Sequence, residues 1–194
     1  MIPRLVVGSK NQDKILEIEQ VLSRTGLAGE IVQGLDWPHV EESGETLEAN
    51  ALIKARLVAE AVGLPAVADD TGLEVAALGG APGVRTARYA GPQATYRDNV
   101  RRLLREMADV EDRRARFRTV VALVMPDGTE VVAEGTLHGN IALEPRGDWG
   151  FGYDPVFEVE GRTLSEMGVD EKNILSHRAR ALQALAEALG LTRS

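Results

Sequence analysis

The chain has 194 residues, no cysteine and a formal net charge of −8. That composition excludes thiol catalysis, Cys-ligated zinc and iron–sulfur clusters, and disfavours a nucleic-acid groove, which normally carries a basic excess. No apolar run approaches the roughly 20 residues of a membrane span, and the apolar stretch in MIPRLVVGSKNQDK is too short for a signal peptide. The expectation is one cytoplasmic domain over residues 1–194, with no membrane or nucleic-acid partner.

RLVVGS reads as a first strand, short and β-branched. NQDKILEIEQVLSRTG follows as a helix, with Ile15, Ile18 and Leu22 at helical spacing and Gly26 as its stop. GEIVQGL reads as a second strand and DWPHVEESGE as a loop. TLEANALIKARLVAEAVG is a helix capped by Thr46, with Leu47, Ala51, Ala55, Val58 and Val62 on one stripe. PAVADD is a buried strand ending in two aspartates. ALGGAPGVRTARYAGP is a long Gly/Pro-rich loop, TYRDNVRRLLREMADV a helix, and a Pro-Asp-Gly turn joins two long strands into a hairpin. EPRGDWGFGYDPVFEV is a glycine-rich loop entering a strand, and VDEKNILSHRARALQALAEALG a closing helix or helix pair. The order predicts an α/β fold with a mixed sheet, the hairpin forming a second lobe.

Five stretches carry chemistry. In SKNQDK a strand gives way to a helix N-terminus, a natural place for an anion. Ser9 and Asn11 add donors there, and Lys10 and Lys14 add charge, although the P-loop glycines are absent. Only four of the 22 basic residues are lysine, namely Lys10, Lys14, Lys54 and Lys172, which suggests places where a compact ammonium is wanted. EESGETLEAN offers carboxylates to a hard cation such as Mg2+, or compensates a helix N-terminus.

Asp69 and Asp70 are read at the carboxyl end of a strand, where ligands gather in α/β sheets. Neighbours on a strand point to opposite faces, so one aspartate acts and the other supports. GDWGFGYDPVF holds Trp149, Phe151, Tyr153 and Phe157 in a chain that is only 4% aromatic; it reads as a stacking surface for a base, or as a hydrophobic plug. EKNILSHR brings Lys172, His177 and Arg178 together as donors for a phosphate or for base oxygens. Together they describe a nucleotide site.

SKNQDK, EESGETLEANALIKA, ADDTGLEV, LGGAPGVRTARY, GFGYDPVF and EKNILSHR, in this order, resemble the inosine triphosphate pyrophosphatases over nearly the whole chain. The resemblance implies an elongated mixed β-sheet with flanking helices, two lobes around a central nucleotide cleft, and a homodimer. It implies Mg2+-dependent hydrolysis of ITP, dITP and XTP to monophosphate and pyrophosphate. By position, Asp70 is similar to the family's general base and metal ligand, and Glu41 to the second metal carboxylate, with Glu42 the alternative one residue on. Ser9, Lys10, Asn11, Gln12, Asp13 and Lys14 look like the triphosphate loop, and Thr71 like a substrate contact. Phe151, Gly152, Tyr153, Asp154, Lys172, His177 and Arg178 look like the nucleoside pocket, with His177 and Arg178 donating to O6. A pyrophosphatase for other modified bases and an inactive nucleotide sensor are the rival readings.

Overall fold

The computed structural model describes residues 1–148 and 150–191; Trp149, one of the four clustered aromatics, lies outside them. The chain divides into two compact units. The first comprises Met1–Asp70, Thr119–Thr136 and Ser176–Ser194, and the second Thr71–Arg118 and Leu137–Leu175.

In the first unit, strand β1 (Ile2–Val7) leads into helix α1 (Gln12–Thr25), strand β2 (Ala28–Val32) and helix α2 (Leu47–Val62). Asn11 caps α1, Thr46 caps α2, and the two helices stop at Gly26 and Gly63, as their sequences dictate. Strand β3 (Ala66–Val75) follows. β1 pairs in parallel with β2 and, through Val6 and Val7, with Ala66 and Val67 of β3. A core of Leu5, Val7, Ile18, Leu22, Leu27, Val67, Val121, Leu123, Leu182 and Leu185 holds this unit. Each such side chain contributes about 1.5–3 kcal/mol when fully buried.

The long Gly/Pro segment holds two 3-10 turns and the short strand β4 (Pro82–Gly83), which pairs antiparallel with Leu73 and Glu74 of β3. Helix α3 (Tyr96–Glu106) opens with a reciprocal capping box between Thr95 and Asp98. The hairpin strands are β5 (Arg114–Val124) and β6 (Glu130–Ile141), and β7 (Phe157–Val159) and β8 (Arg162–Thr163) continue the antiparallel pairing. The described strands form one mixed sheet in the order β2-β1-β3-β5-β6-β7-β8, with β4 on β3. The closing segment is a pair of helices, α4 (Val169–Leu175) and α5 (His177–Ala188), separated by Ser176, whose hydroxyl caps α5. Among the described residues no helix is long and apolar enough to cross a membrane.

The expected α/β class with a mixed sheet is present. β3 differs from its expected extent: it continues past Asp69 and Asp70 to Val75. Asp-Asp-Thr-Gly suggests a turn, but Leu73 and Val75 are fully buried in the second core, and their burial carries the extended chain through. The two aspartates therefore lie within β3. The end they mark is that of β1, whose ladder with β3 closes at Val7 and Val67.

Within the first unit, α5 rests directly on β6 at Gly135. A Cβ there would stand 2.2 Å from the His177 carbonyl oxygen and 2.3 Å from the Ala181 nitrogen. Helix backbone cannot yield as a flexible side chain does, so Gly135→Val should cost at least the roughly 1–3 kcal/mol of an overpacked core. The expected reading is a lower urea midpoint at unchanged m-value. An unchanged midpoint would mean that α5 is not seated on Gly135.

Candidate active site

Strand geometry separates Asp69 from Asp70. Both are buried, at 2% and 7% exposure, yet each meets a different set of partners. Asp69 Oδ2 lies 3.3 Å from Lys14 Nζ and 3.2 Å from both Nε and Nη2 of Arg178. Asp70 Oδ1 lies 3.3 Å from Lys54 Nζ, and its Oδ2 accepts a hydrogen bond from Asn50 Nδ2 at 3.1 Å. The alternation of the strand thus directs one carboxylate to α1 and α5 and the other to α2.

The first turn of α1 is organised by Asn11. Its side-chain oxygen accepts from the backbone N–H groups of Asp13 and Lys14, while Ser9 Oγ accepts from the Asn11 N–H. Gln12 and Asp13 are exposed. Lys10 is turned to Asp36 and the Trp37 carbonyl oxygen, whereas Lys14 reaches inward to Asp69. One turn further on, Glu17 is buried and paired with Arg178 Nη1. Glu17 is a functional candidate that motif reading passed over. Its signal is a carboxylate one turn from Val21, on the buried face of α1.

α2 supplies Asn50 and Lys54, four residues apart on its buried face. Lys54 Nζ also lies 2.9 Å from Glu42 Oε1, so its ammonium stands between two carboxylates. Glu42 is the residue brought into this group; Glu41 is exposed. Asn50 and Lys54 interrupt the apolar stripe of α2, and that interruption is their sequence signal.

Arg178, read from sequence as a donor to the base, is 1% exposed and holds Glu17 and Asp69. His177 is buried beside Thr119, with Nδ1 and the Thr119 hydroxyl oxygen 2.5 Å apart. Thr119 was not legible as a site residue, because it sits in a run of apolar strand residues.

The second unit carries its own constellation. Lys172 Nζ lies 2.7 Å from Asp154 Oδ2 and 4.5 Å from the ring centre of Phe151. The Phe151 N–H donates to the same Asp154 oxygen at 2.9 Å, and Tyr96 stands beside the Phe151 ring. The clustered aromatics divide here. Phe157 packs on Phe117 in the core, and buried Tyr153 donates its hydroxyl to the Thr86 carbonyl, so among the described residues of the cluster only Phe151 is partly exposed. Gly152 and Thr71 are half-buried.

The electrostatics divide the aspartates further. Burial alone would raise Asp69, but Lys14, Arg178 and Lys54 outweigh it and hold its carboxyl well below the usual carboxylate range. Burial also raises Asp70; Lys54 and Lys14 oppose that, Glu42 adds to it, and the carboxyl stays above its ordinary value. Burial would lower Lys54, but Asp70, Asp69 and Glu42 keep its ammonium protonated. One aspartate is held as a fixed anion, and its neighbour's carboxyl is raised above the ordinary value.

Among the described residues no group of three or more His, Cys, Asp or Glu side chains is gathered into a metal cage. Mg2+ commonly takes one or two protein carboxylates and completes its shell with water and phosphate oxygens. Asp70 and Glu42 fit that demand, since both already face one cation, the Lys54 ammonium.

A mixed-sheet α/β protein with two adjacent buried aspartates, each in contact with a lysine, is equipped as a hydrolase of phosphate anhydrides. The sequence profile of the Ham1 family matches residues 5–188, and the chain belongs to that family. It is 50% identical over 191 residues to the dITP/XTP pyrophosphatase of Symbiobacterium thermophilum, covering 96% of this chain and 94% of that one. The solved HAM1 protein from Coxiella burnetii superposes with a TM-score of 0.86 at 41% identity, covering 98% of this chain and 100% of that one. The nucleoside-triphosphatase / dITP/XTP pyrophosphatase from Mycobacterium abscessus gives 0.74 at 43% identity, covering 96% and 99%. The family resemblance read from the six motifs is borne out.

Asp69 folds with its carboxyl held below the unfolded value of about 3.9. Its contribution to stability is therefore complete above that value and is lost as pH falls through the folded one. Asp69→Asn should lower stability at pH 7 by about 3–5 kcal/mol, because buried Arg178 and half-buried Lys14 lose their counter-charge. It should also flatten the acid limb of a stability–pH curve measured by urea unfolding. Wild-type stability in this variant would show that Asp69 does not hold the two cations.

Proposed function

We propose that this chain hydrolyses non-standard purine nucleoside triphosphates (ITP, dITP and XTP) to the monophosphate and pyrophosphate, removing them from the nucleotide pool. The observation that carries the reading is the opposed state of the adjacent aspartates: Asp69 held ionised by Lys14 and Arg178, Asp70 raised towards protonation beside Lys54. A buried carboxylate beside a lysine, its carboxyl raised above the ordinary value, suits a general base that takes a proton and returns it.

In the proposed reaction Asp70 takes a proton from water, and the water oxygen attacks the α-phosphorus. The bond from the α-phosphorus to the bridging oxygen breaks, and pyrophosphate leaves. Asp69 stays charged and keeps Lys14 in place at the start of α1, the segment Ser9–Lys14 being assigned to the triphosphate. Lys54 and Lys14 offset the charge that develops on the phosphate oxygens, so positioning and electrostatics carry most of the barrier reduction. Mg2+ would be held by Asp70 together with Glu41, the carboxylate assigned by resemblance, or with Glu42, which shares Lys54 with Asp70, and would neutralise phosphate charge and make a bound water more acidic.

Phe151, Lys172 and Asp154 are assigned to the nucleoside, a flat ring with a cation and a carboxylate beside it, and Thr71, Gly152 and Tyr153 to the same region by resemblance. By resemblance, His177 and Arg178 keep the proposed reading of O6, with Arg178 also holding Glu17 and Asp69. Adenine presents an amino donor where hypoxanthine and xanthine present an acceptor, and a donor facing a donor stays unsatisfied. Sites built on such hydrogen bonds discriminate by about 10⁴ or more. A cytoplasmic homodimer completes the proposal.

The test is pyrophosphate release from ITP, XTP, dITP, ATP, GTP and dUTP, with Mg2+ or with EDTA. Metal-dependent turnover of the first three, with ATP left nearly untouched, is expected. Preference for another base would transfer the chain to a related pyrophosphatase, and no turnover would make it a nucleotide sensor. Asp70→Asn should reduce kcat by about 10²–10⁴ while melting near the wild type, because an aspartate with a raised pKa gives up little when made neutral. Retained kcat would remove Asp70 from the base role.

A further inference from the structure

We infer that Asn50 is a positioning residue: it sets the orientation of the Asp70 carboxylate and ties it to the loop that carries Glu42. The inference rests on the reading of Asp70 as the base.

Asn50 is 1% exposed, and both ends of its amide are engaged. Its Oδ1 accepts from the Gly44 N–H at 2.8 Å, and its Nδ2 donates to Asp70 Oδ2 at 3.1 Å. A backbone N–H can only donate, so the amide oxygen must face Gly44 and the amide nitrogen must face Asp70. The amide therefore cannot flip. With Lys54 on Oδ1 and Asn50 on Oδ2, both oxygens of Asp70 are addressed by α2, and the plane of the carboxylate is set by one helix.

The loop side is equally constrained. A Cβ on Gly44 would stand 2.6 Å from Asn50 Oδ1, 2.8 Å from Ala49 Cβ and 3.0 Å from the Asn50 backbone nitrogen. The loop thus presses on the first turns of α2 at a point where only glycine fits. Glu42 is two residues before it and shares Lys54 with Asp70. Asn50 makes Glu42 and Asp70 parts of one unit: a shift of the loop moves the amide, and the amide turns the base.

Three variants separate positioning from mere folding. Asn50→Asp keeps an acceptor for the Gly44 N–H but removes the donor to Asp70. Asn50→Ala removes both bonds. Gly44→Ala changes no polar group and displaces the amide from the other side. Each is assayed for pyrophosphate release well below its melting temperature. All three should lower kcat by about tenfold or more, as for a misplaced reacting group, with KM within about threefold. Wild-type kcat in Asn50→Asp and Gly44→Ala, with Asn50→Ala failing only as it melts, would overturn the proposal.

A second readout does not depend on turnover. In 1H–15N spectra the Asn50 side-chain amide pair, assigned by its loss in Asn50→Asp, should shift in Asp70→Ala. An unmoved pair would overturn the contact whatever the enzyme does. A wild-type protein that cleaves no nucleotide would instead sink the role of Asp70, and the amide pair alone would then decide whether Asn50 orients that carboxylate.

Discussion

Everything in the first unit turns on a charge buried where charges are costly. Asp69 is almost fully enclosed, and a carboxylate there is tolerable only with cations in contact. Lys14 from α1 and Arg178 from α5 supply them, and Glu17 balances the second charge on Arg178's side. The network ties α1, β3 and α5 together through groups that cannot be separated one at a time. It also removes Asp69 from acid–base chemistry, because its proton is driven off far below neutral pH.

Asp70 inherits the opposite condition from the same strand. One residue on, the side chain turns to the other face and meets α2. One ammonium and one amide face it, Glu42 adds like charge, and burial does the rest. Two identical side chains thus acquire different chemistry without any difference in local sequence. The lysines follow the same logic. In a chain that otherwise uses arginine, Lys14, Lys54 and Lys172 each sit on a buried aspartate, where a compact ammonium fits between packed elements.

Much of the fold was legible because its signals are local. Thr46 before an apolar stripe, Gly26 and Gly63 after one, and the Pro-Asp-Gly turn each act within a few residues. Local signals failed where a distant contact outweighed them. Thr-Gly after two aspartates resembles a turn, but the burial of Leu73 and Val75 keeps β3 extended. The aromatic run in GFGYDPVF reads as one surface, yet Tyr153 and Phe157 are core residues, and of these three Phe151 is the one that stands partly exposed beside Lys172. Choosing between Glu41 and Glu42 was equally closed to pattern reading, since a loop has no periodicity from which to tell which side faces inward.

The amino-acid order by itself determined the succession of elements, the α/β class and, through six ordered motifs, the family and the kind of chemistry. These are carried by spacing, caps and residue type, which act over short separations. Only the tertiary structure decided which aspartate is fixed as an anion and which is raised, that Glu42 shares Lys54 with Asp70, and that the Asn50 amide meets the Asp70 carboxylate. Those facts depend on pairs such as Arg178 with Asp69 and Arg178 with Glu17, 109 and 161 residues apart. Such distances are bridged by folding alone, because a pKa is set by the charges and the solvent that packing leaves around a group, not by its neighbours in the chain.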